Sequence, residues 1–418
     1  MKIKSLHVRQ IGLFDSLNIE FSSGFNFIAG PNASGKTSIL RNIALTLSHV
    51  SINEFRYREG SEVWIDFGTK DKTMRLGFGQ NFMNNPEQYH GASLKAFNPP
   101  TSSDGVEILS PHELQERKIN FAPLFISAFR KISYIKIQGM TQEMGKNERI
   151  VSYRSNATKN LLGKEMPNVK QWLINRYFQI EKDWAINEKR NWEWLVNNLE
   201  QLGARDSQFS FVEIKRDLEP VFTVRGKKCY LEELSSGYQA ILSIIFCVFD
   251  WIEGTNEGTM MIVENALGTV LIDELDAHLH PEWQLTIRKS LETIFPKLQF
   301  IITTHSPHLI ASAESKELIL IPENQQVISI KPTDKTYSGW NTDQILEELM
   351  GVKSLTNKTY SELIDKALNF VEKNDIDSLK KSINDLKKVT HSNDTIVTSL
   401  EIKLAGLKLK QGDKNKKK

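Results

Sequence analysis

Residues 24–38 read Gly-Phe-Asn-Phe-Ile-Ala-Gly30-Pro-Asn-Ala-Ser-Gly35-Lys36-Thr37-Ser38. Phe25 to Ala29 form an apolar run of the length of a buried strand. Ile39, Leu40, Ile43, Ala44 and Leu47 follow at helical spacing. Between them, Gly30 to Thr37 fits G-x-x-x-x-G-K-[ST], with the preceding strand and following helix that this pattern requires. The chemistry explains the residue types. Glycines let backbone N–H groups close around a phosphate, and the helix N-terminus turns its positive end to the anion. Lys36 sets an ammonium against the β- and γ-phosphates, and the Thr37 hydroxyl ligates Mg²⁺. The expected cradle is Gly30, Asn32, Ser34, Gly35, Lys36, Thr37 and Ser38, with ATP and Mg²⁺ as cofactors.

Three further elements lie C-terminal to it. Thr269-Val-Leu-Ile-Asp273-Glu274 is an apolar strand that delivers two adjacent acids. Behind a phosphate loop, Asp273 would complete the Mg²⁺ shell and Glu274 would orient or deprotonate the attacking water. Leu234-Ser235-Ser236-Gly237-Tyr238-Gln239 is, taken alone, an ordinary helix N-cap. Phe300-Ile-Ile-Thr-Thr-His305 is an apolar strand ending in a histidine, which taken alone is structural.

Around these motifs strands and helices alternate, which argues for an α/β fold with a mainly parallel sheet. Ile3, Leu6 and Val8 mark one strand, and Leu17, Ile19 and Phe21 alternate in the next. Glu62–Phe67 and Thr73–Phe78 read as a hairpin. Residues 81–120 are rich in Asn, Pro, Ser and Gly and read as a long loop region. Trp172, Trp184, Trp192 and Trp194 then fall in a helical insertion, as packing groups rather than a base-stacking platform. Strands return at Phe209–Ile214 and Val221–Val224, ahead of an apolar helix, Tyr238–Trp251. After Pro332 the pattern is polar and helical, with segments at 340–350, 363–371, 379–389 and 396–407. The expected divisions are an N-terminal lobe (1–155), a helical insertion (156–205), a C-terminal lobe (206–332) and a helical C-terminal region (333–418).

The chain has 418 residues, 40% apolar and 25% charged, which suits folded cores and excludes global disorder. Two cysteines, Cys229 and Cys247, exclude a disulfide scaffold and a thiolate zinc site. Met1–Gln10 lacks the apolar core of a signal peptide. Ala240–Trp251, interrupted by Ser243 and Asp250, is too short to span about 30 Å of hydrocarbon. The expected setting is cytoplasmic, without a membrane partner. The net charge of +2 is uneven. Residues 401–418 carry seven Lys against Glu401 and Asp413, so the first 400 residues sum to −3. That body is not a basic nucleic-acid clamp, and the Lys-rich end reads as a solvated tail.

In this order, the phosphate loop, Leu-Ser-Ser-Gly, Asp-Glu and strand-His elements resemble the ABC ATPase superfamily. Leu234–Gln239 is similar to its signature and His305 to its switch histidine. About 200 residues separate Lys36 from Ser235, more than in compact transporter ATPases. Asp273-Glu-Leu-Asp-Ala-His-Leu-His-Pro281 resembles the RecF/SMC-like group, which includes the overcoming-lysogenisation-defect ATPases and the Septu antiphage ATPase subunit. The resemblance spans residues 1–330. It implies a P-loop ABC-ATPase head with a mixed, mainly parallel sheet, flanking helices and an antiparallel β subdomain. It also implies a head-to-tail dimer or higher even oligomer. Lys36, Thr37, Asp273, Glu274 and His305 would act from one protomer, while Ser235 and Gly237 reach the γ-phosphate held by the other. Asp276 falls in the loop coupling the two sites. Gln138 is the candidate for the glutamine that reaches Mg²⁺, and Arg9 and Phe14 lie where the adenine contact would fall. The implied function is an ATP-gated switch controlling a partner effector, such as an HNH-type nuclease, in antiphage defence. A RecF-like repair or recombination ATPase is the alternative, which leaves nucleic acid open as a partner.

Two clusters invite other chemistry. His278 and His280, with Asp276, resemble metal ligands but sit where a helix starts. Asp375 and Asp377 are similar to the D-x-D of a Toprim nuclease. The segment after Pro332 lacks the strands such a domain needs, so helix capping is the expected role.

Overall fold

The computed structural model describes residues 1–48, 57–79, 100, 104–164, 168–203, 207–323, 327–352, 358–391 and 394–416. They divide into two units, Met1–Gly351 and Val352–Lys418. The strands of the first unit are β1 (Lys2–Ile11), β2 (Phe14–Glu20), β3 (Phe25–Ala29), β4 (Tyr57–Gly68), β5 (Thr73–Phe78), β6 (Glu107–Leu109) and β7 (Leu124–Ile126). They continue with β8 (Ser210–Ile214), β9 (Pro220–Val224), β10 (Lys227–Tyr230), β11 (Thr269–Ile272), β12 (Gln299–Thr303), β13 (Leu318–Leu320) and β14 (Val327–Ile330).

One sheet has the order β13-β3-β12-β11-β7, with every pair parallel. All residues of β3, β11 and β12 are buried, as expected of parallel strands covered on both faces. The register sets Ile272 opposite both Ile126 and Ile302, and Thr303 opposite Ile28. The carboxyl ends of β7, β11, β12 and β3 are therefore level, which is where open α/β sheets place their sites.

A second sheet, β14-β2-β1-β4-β5-β6, is antiparallel from β2 to β5 with parallel edge strands. The helix Lys36–Leu47 packs on β4 and β5 and buries Ile39, Leu40, Ile43, Ala44 and Leu47. The expected hairpin is β4–β5, with Gly68 opposite Thr73. Much of the region expected as a long loop, 81–120, lies outside the described residues. Its described part holds β6 and the short helix Pro111–Glu116. Ser110 and Glu113 form a reciprocal capping box there, a signal that the Pro- and Ser-rich composition masked.

The third sheet, β10-β9-β8, is antiparallel and precedes the helix Ser236–Thr255. This helix is apolar all round because Lys146–Ser155, Val169–Gln179 and Ile186–Leu202 pack on it. It is longer than its sequence suggested and is apolar enough to cross a membrane, but 94% of its most apolar window is buried inside the fold. Trp172 and Trp192 are buried, and Trp194 Nε1 donates to Ile294 O at 3.3 Å. Trp184 is 67% exposed and does not pack.

Glu253, buried on the same helix, holds the insertion in place. Its carboxylate accepts from Trp172 Nε1 (3.0 Å), Arg176 Nε (2.5 Å) and Asn191 Nδ2 (3.0 Å). Glu253→Ala strands Trp172 Nε1, Asn191 Nδ2 and Arg176 Nε, while the Arg176 charge keeps its pair with Glu143 at 2.5 Å. The expected loss is about 1–3 kcal/mol of stability, the scale for leaving buried donors unsatisfied. Urea unfolding measures it, and a midpoint within error of the parent would show that the network contributes nothing.

Residues 333–351 belong to the first unit. Their helix, Thr342–Glu348, capped by Asn341, packs on the helix Pro307–Ser312. The described residues of the second unit form three helices, Lys358–Glu372, Ile376–Val389 and Thr395–Lys416, around Ala367, Leu379, Ile383, Leu386, Val397 and Leu400. Asp375 caps the middle helix by accepting from Ser378 N at 3.1 Å.

Candidate functional site

The loop after β3 is shaped by contacts that exclude side chains. A Cβ on Gly30 would lie 2.6 Å from Ile321 O, and one on Gly35 would lie 2.7 Å from Phe14 Cζ. Gly35 also holds φ +92° at the N-cap of the helix Lys36–Leu47. Lys36 is buried, and its Nζ donates to Gly30 O (3.0 Å) and Pro31 O (2.8 Å). Burial lowers the Lys36 pKa, while Glu274, Asp276 and Asp273 act to raise it. Ser34 Oγ is buried with no partner among the described residues.

At the end of β11, Asp273 meets the loop. Thr37 Oγ1 donates to Asp273 Oδ1 at 3.0 Å and lies 3.2 Å from Oδ2. Thr303 Oγ1, at the end of β12, donates to Asp273 Oδ1 at 2.6 Å. The same hydroxyl accepts the Glu274 N–H at 2.8 Å, and Glu274 takes the left-handed φ of +46°. Asp276 Oδ1 accepts from Thr304 Oγ1 (2.6 Å) and from His305 N (3.1 Å). The half-buried His305 has its pKa lowered by desolvation first and by the Lys36 charge second. Its imidazole is therefore neutral at neutral pH.

A hydroxyl beside a carboxylate is a hard-oxygen pair suited to Mg²⁺. The glycine-lined loop, the orphaned Ser34 hydroxyl and the Lys36 ammonium suit a polyphosphate. The residues fit both groups.

Ser235 caps the helix Ser236–Thr255, and its side chain makes no capping bond. Ser235, Ser236 and Gly237 line an open cleft of about 640 Å³, together with Arg225, His278 and His280. A Cβ on Gly237 would lie 2.2 Å from Trp283 Cζ3, so glycine is required there by packing. His280 Nδ1 accepts from Glu282 N at 3.3 Å and caps the helix Pro281–Ile294. Among the described residues no cluster of three His, Cys, Asp or Glu side chains is placed to hold a metal ion.

Gln138 is exposed and, among the described residues, makes no hydrogen bond to Thr37 or Asp273. β7 ends beside β11 at Ile126, before Gln138 in the chain. Phe14 is 3% exposed, with its ring under Gly35, so it supports the loop rather than offering a face to a base. Arg9 donates to Gly60 O at 3.2 Å and pairs with Glu62 at 3.3 Å.

Sequence reasoning missed Arg130, which is 2% exposed. Its Nη1 donates to Ser127 O (3.0 Å) and Asp273 O (2.8 Å), and its Nη2 to Glu274 O (2.7 Å). Longer contacts reach Ala277 O (3.3 Å) and Leu275 O (3.4 Å). Burial lowers its pKa to about 10 against the pull of Asp276, Asp273 and Glu274, so the guanidinium stays charged at neutral pH. Thr303 and Thr304 were also missed as partners of Asp273 and Asp276. The Thr-Thr pair before His305 was the available signal for them.

Four adjacent parallel strands thus bring the phosphate-loop sequence, an acid pair, a histidine and a clamped turn to one edge, an arrangement that belongs to the P-loop ATPase α/β class of fold. Residues 5–219, more than half of the chain, match the family model described as AAA domain, and residues 164–310 match that described as AAA ATPase domain. The chain belongs to this AAA family. It is 25% identical over 413 residues to a Septu protein PtuA of Bacillus thuringiensis, covering 96% of this chain and 98% of that protein. A second Septu protein PtuA, of Bacillus mycoides, is 25% identical over 408 residues, covering 91% of this chain and 49% of that longer protein. Among solved structures, an SMC head bound to the C-winged helix domain of ScpA aligns with a TM-score of 0.47 at 16% identity. That alignment covers 79% of this chain and 97% of that one.

Proposed function

We propose that the chain binds and hydrolyses ATP and that two copies, joined head to tail through shared ATP, form a switch controlling a partner effector. One observation carries the switch. The cleft at Ser235 and Gly237 is lined by none of Gly30–Ser38, Asp273, Glu274 or His305. That separation supports a reading in which a phosphate held by the loop of one copy meets the signature of another.

Mg²⁺, held by Thr37 and Asp273, would neutralise charge on the β- and γ-phosphates. Lys36 exchanges its two loop carbonyls for those phosphates. Glu274 takes the proton of the attacking water, and the neutral His305 hydrogen-bonds the γ-phosphate. Once that phosphate leaves, the two copies lose the ligand they shared, and the dimer loosens by population shift. The likeness to the Septu proteins favours antiphage defence as the setting and a nuclease of the HNH type as the effector.

Ser235→Arg places a bulky cation at the cleft and leaves the loop untouched. The variant should bind ATP with the parent's affinity and stay monomeric by light scattering under ATP and Mg²⁺, where the parent dimerises. An unchanged ATP-dependent dimer would refute the shared-ligand arrangement.

A further inference from the structure

We propose that Arg130 is a positioning residue for hydrolysis, one that fixes the backbone aiming Glu274 and Asp276 and so sets turnover without touching the nucleotide. The inference rests on the reading of Glu274 as the base. Its first support is the choice of partners. The guanidinium spends its donors on carbonyls, those of Ser127, Asp273, Glu274, Leu275 and Ala277, while Nε finds no partner among the described residues. A charge this buried is costly, and apolar packing would serve a purely structural purpose as well.

The second support is the turn it grips. Glu274 (φ +46°) and His278 (φ +68°) both take left-handed backbone at non-glycine positions. Such conformations persist only where the surroundings impose them, and they cluster at functional sites. Between them, Asp276 carries the bonds to Thr304 and to the His305 N–H. Glu274 is thus held from two sides, by Thr303 at its N–H and by Arg130 at its carbonyl. Releasing one side lets the turn relax, which shifts the base and loosens the hold on the histidine. Only a planar fork reaches the Ser127 carbonyl, just after β7, and those of the turn together, which a lysine cannot do.

The test compares Arg130→Lys with Glu274→Gln in the full chain. We expect Arg130→Lys to melt cooperatively and to bind ATP within about threefold of the parent. Its kcat should fall about 30-fold with KM little changed, within the 10²-fold that a displacement of about 1 Å costs. Millimolar guanidinium should restore turnover to Arg130→Ala and not to Glu274→Gln. A kcat within about twofold of the parent, or a loss of turnover matched by a loss of affinity, overturns the inference. Should the Arg130 variants fail to fold, Thr303→Val removes the opposite hold. At saturating Mg²⁺ it should show the same loss confined to kcat, and an unchanged kcat again overturns the inference. An active Glu274→Gln would instead sink the reading of the base, whatever Arg130 does.

Discussion

Glu274→Gln is expected to lose at least about 10²-fold in turnover, the scale of a lost general base, while binding ATP as tightly as the parent. The substitution is isosteric, and the structure leaves the backbone no reason to move. The residue 274 N–H still donates to Thr303 Oγ1, and its carbonyl still accepts from Arg130 Nη2. What changes is the capacity to take a proton. Asp273 cannot replace it, because its oxygens already accept from Thr37 and Thr303. His305 is a weakened base, because desolvation first and the Lys36 charge second oppose imidazolium formation. The rival reading makes Glu274 a cap for the turn that follows β11. That reading predicts loss of melting temperature with turnover intact. A steady-state phosphate-release assay beside a thermal melt separates the two, and near-parental hydrolysis discards Glu274 as the base. With turnover slowed and binding kept, the same variant should accumulate the ATP-bound dimer, so its ATP-dependent mass by light scattering is a second check.

The parts of this site legible in the sequence are those whose chemistry restricts residue type. Lys36 and Thr37 follow a glycine pattern that few other functions need, and Asp273 and Glu274 end a strand that can only be buried. Their meeting, across 236 positions of chain, followed from motif order and is seen in the bond from Thr37 to Asp273. Arg130 was illegible for the opposite reason. Its partners are backbone carbonyls, which leave no trace in side-chain type, and they lie just beyond two parallel strands far apart in sequence. Gln138, picked by residue type alone, is exposed and follows the end of β7, with no bond to Thr37 or Asp273 among the described residues. Phe14 lies where the adenine contact would fall, but its ring packs beneath the loop against Gly35. The fold was readable where burial was uniform. Short edge strands such as β6, β13 and β14 carry too few residues to show a period.

Lys36→Ala should weaken ATP binding by about 10²-fold. Hydrogen bonds to charged groups contribute about 1.5–3 kcal/mol each, and an ammonium bridging two phosphates makes two of them. The gross effect would lie between about 10² and 10⁴ in affinity. The lower figure is expected because the ammonium is not idle in the free protein. It already donates to Gly30 O and Pro31 O, and those bonds must be given up when the phosphates arrive. The same contacts suggest a rival role for Lys36 as a staple that only shapes the loop. The two roles differ in which ligand suffers. Lost phosphate contacts should weaken ATP about 10²-fold and leave AMP within about twofold, because AMP lacks the phosphates that Lys36 reaches. A collapsed loop should weaken both alike and lower the melting temperature. Titration of parent and variant with ATP, ADP and AMP, beside thermal melts, decides between them. Unchanged ATP affinity would remove the phosphate loop as the basis of the site, and with it the switch that depends on a shared triphosphate.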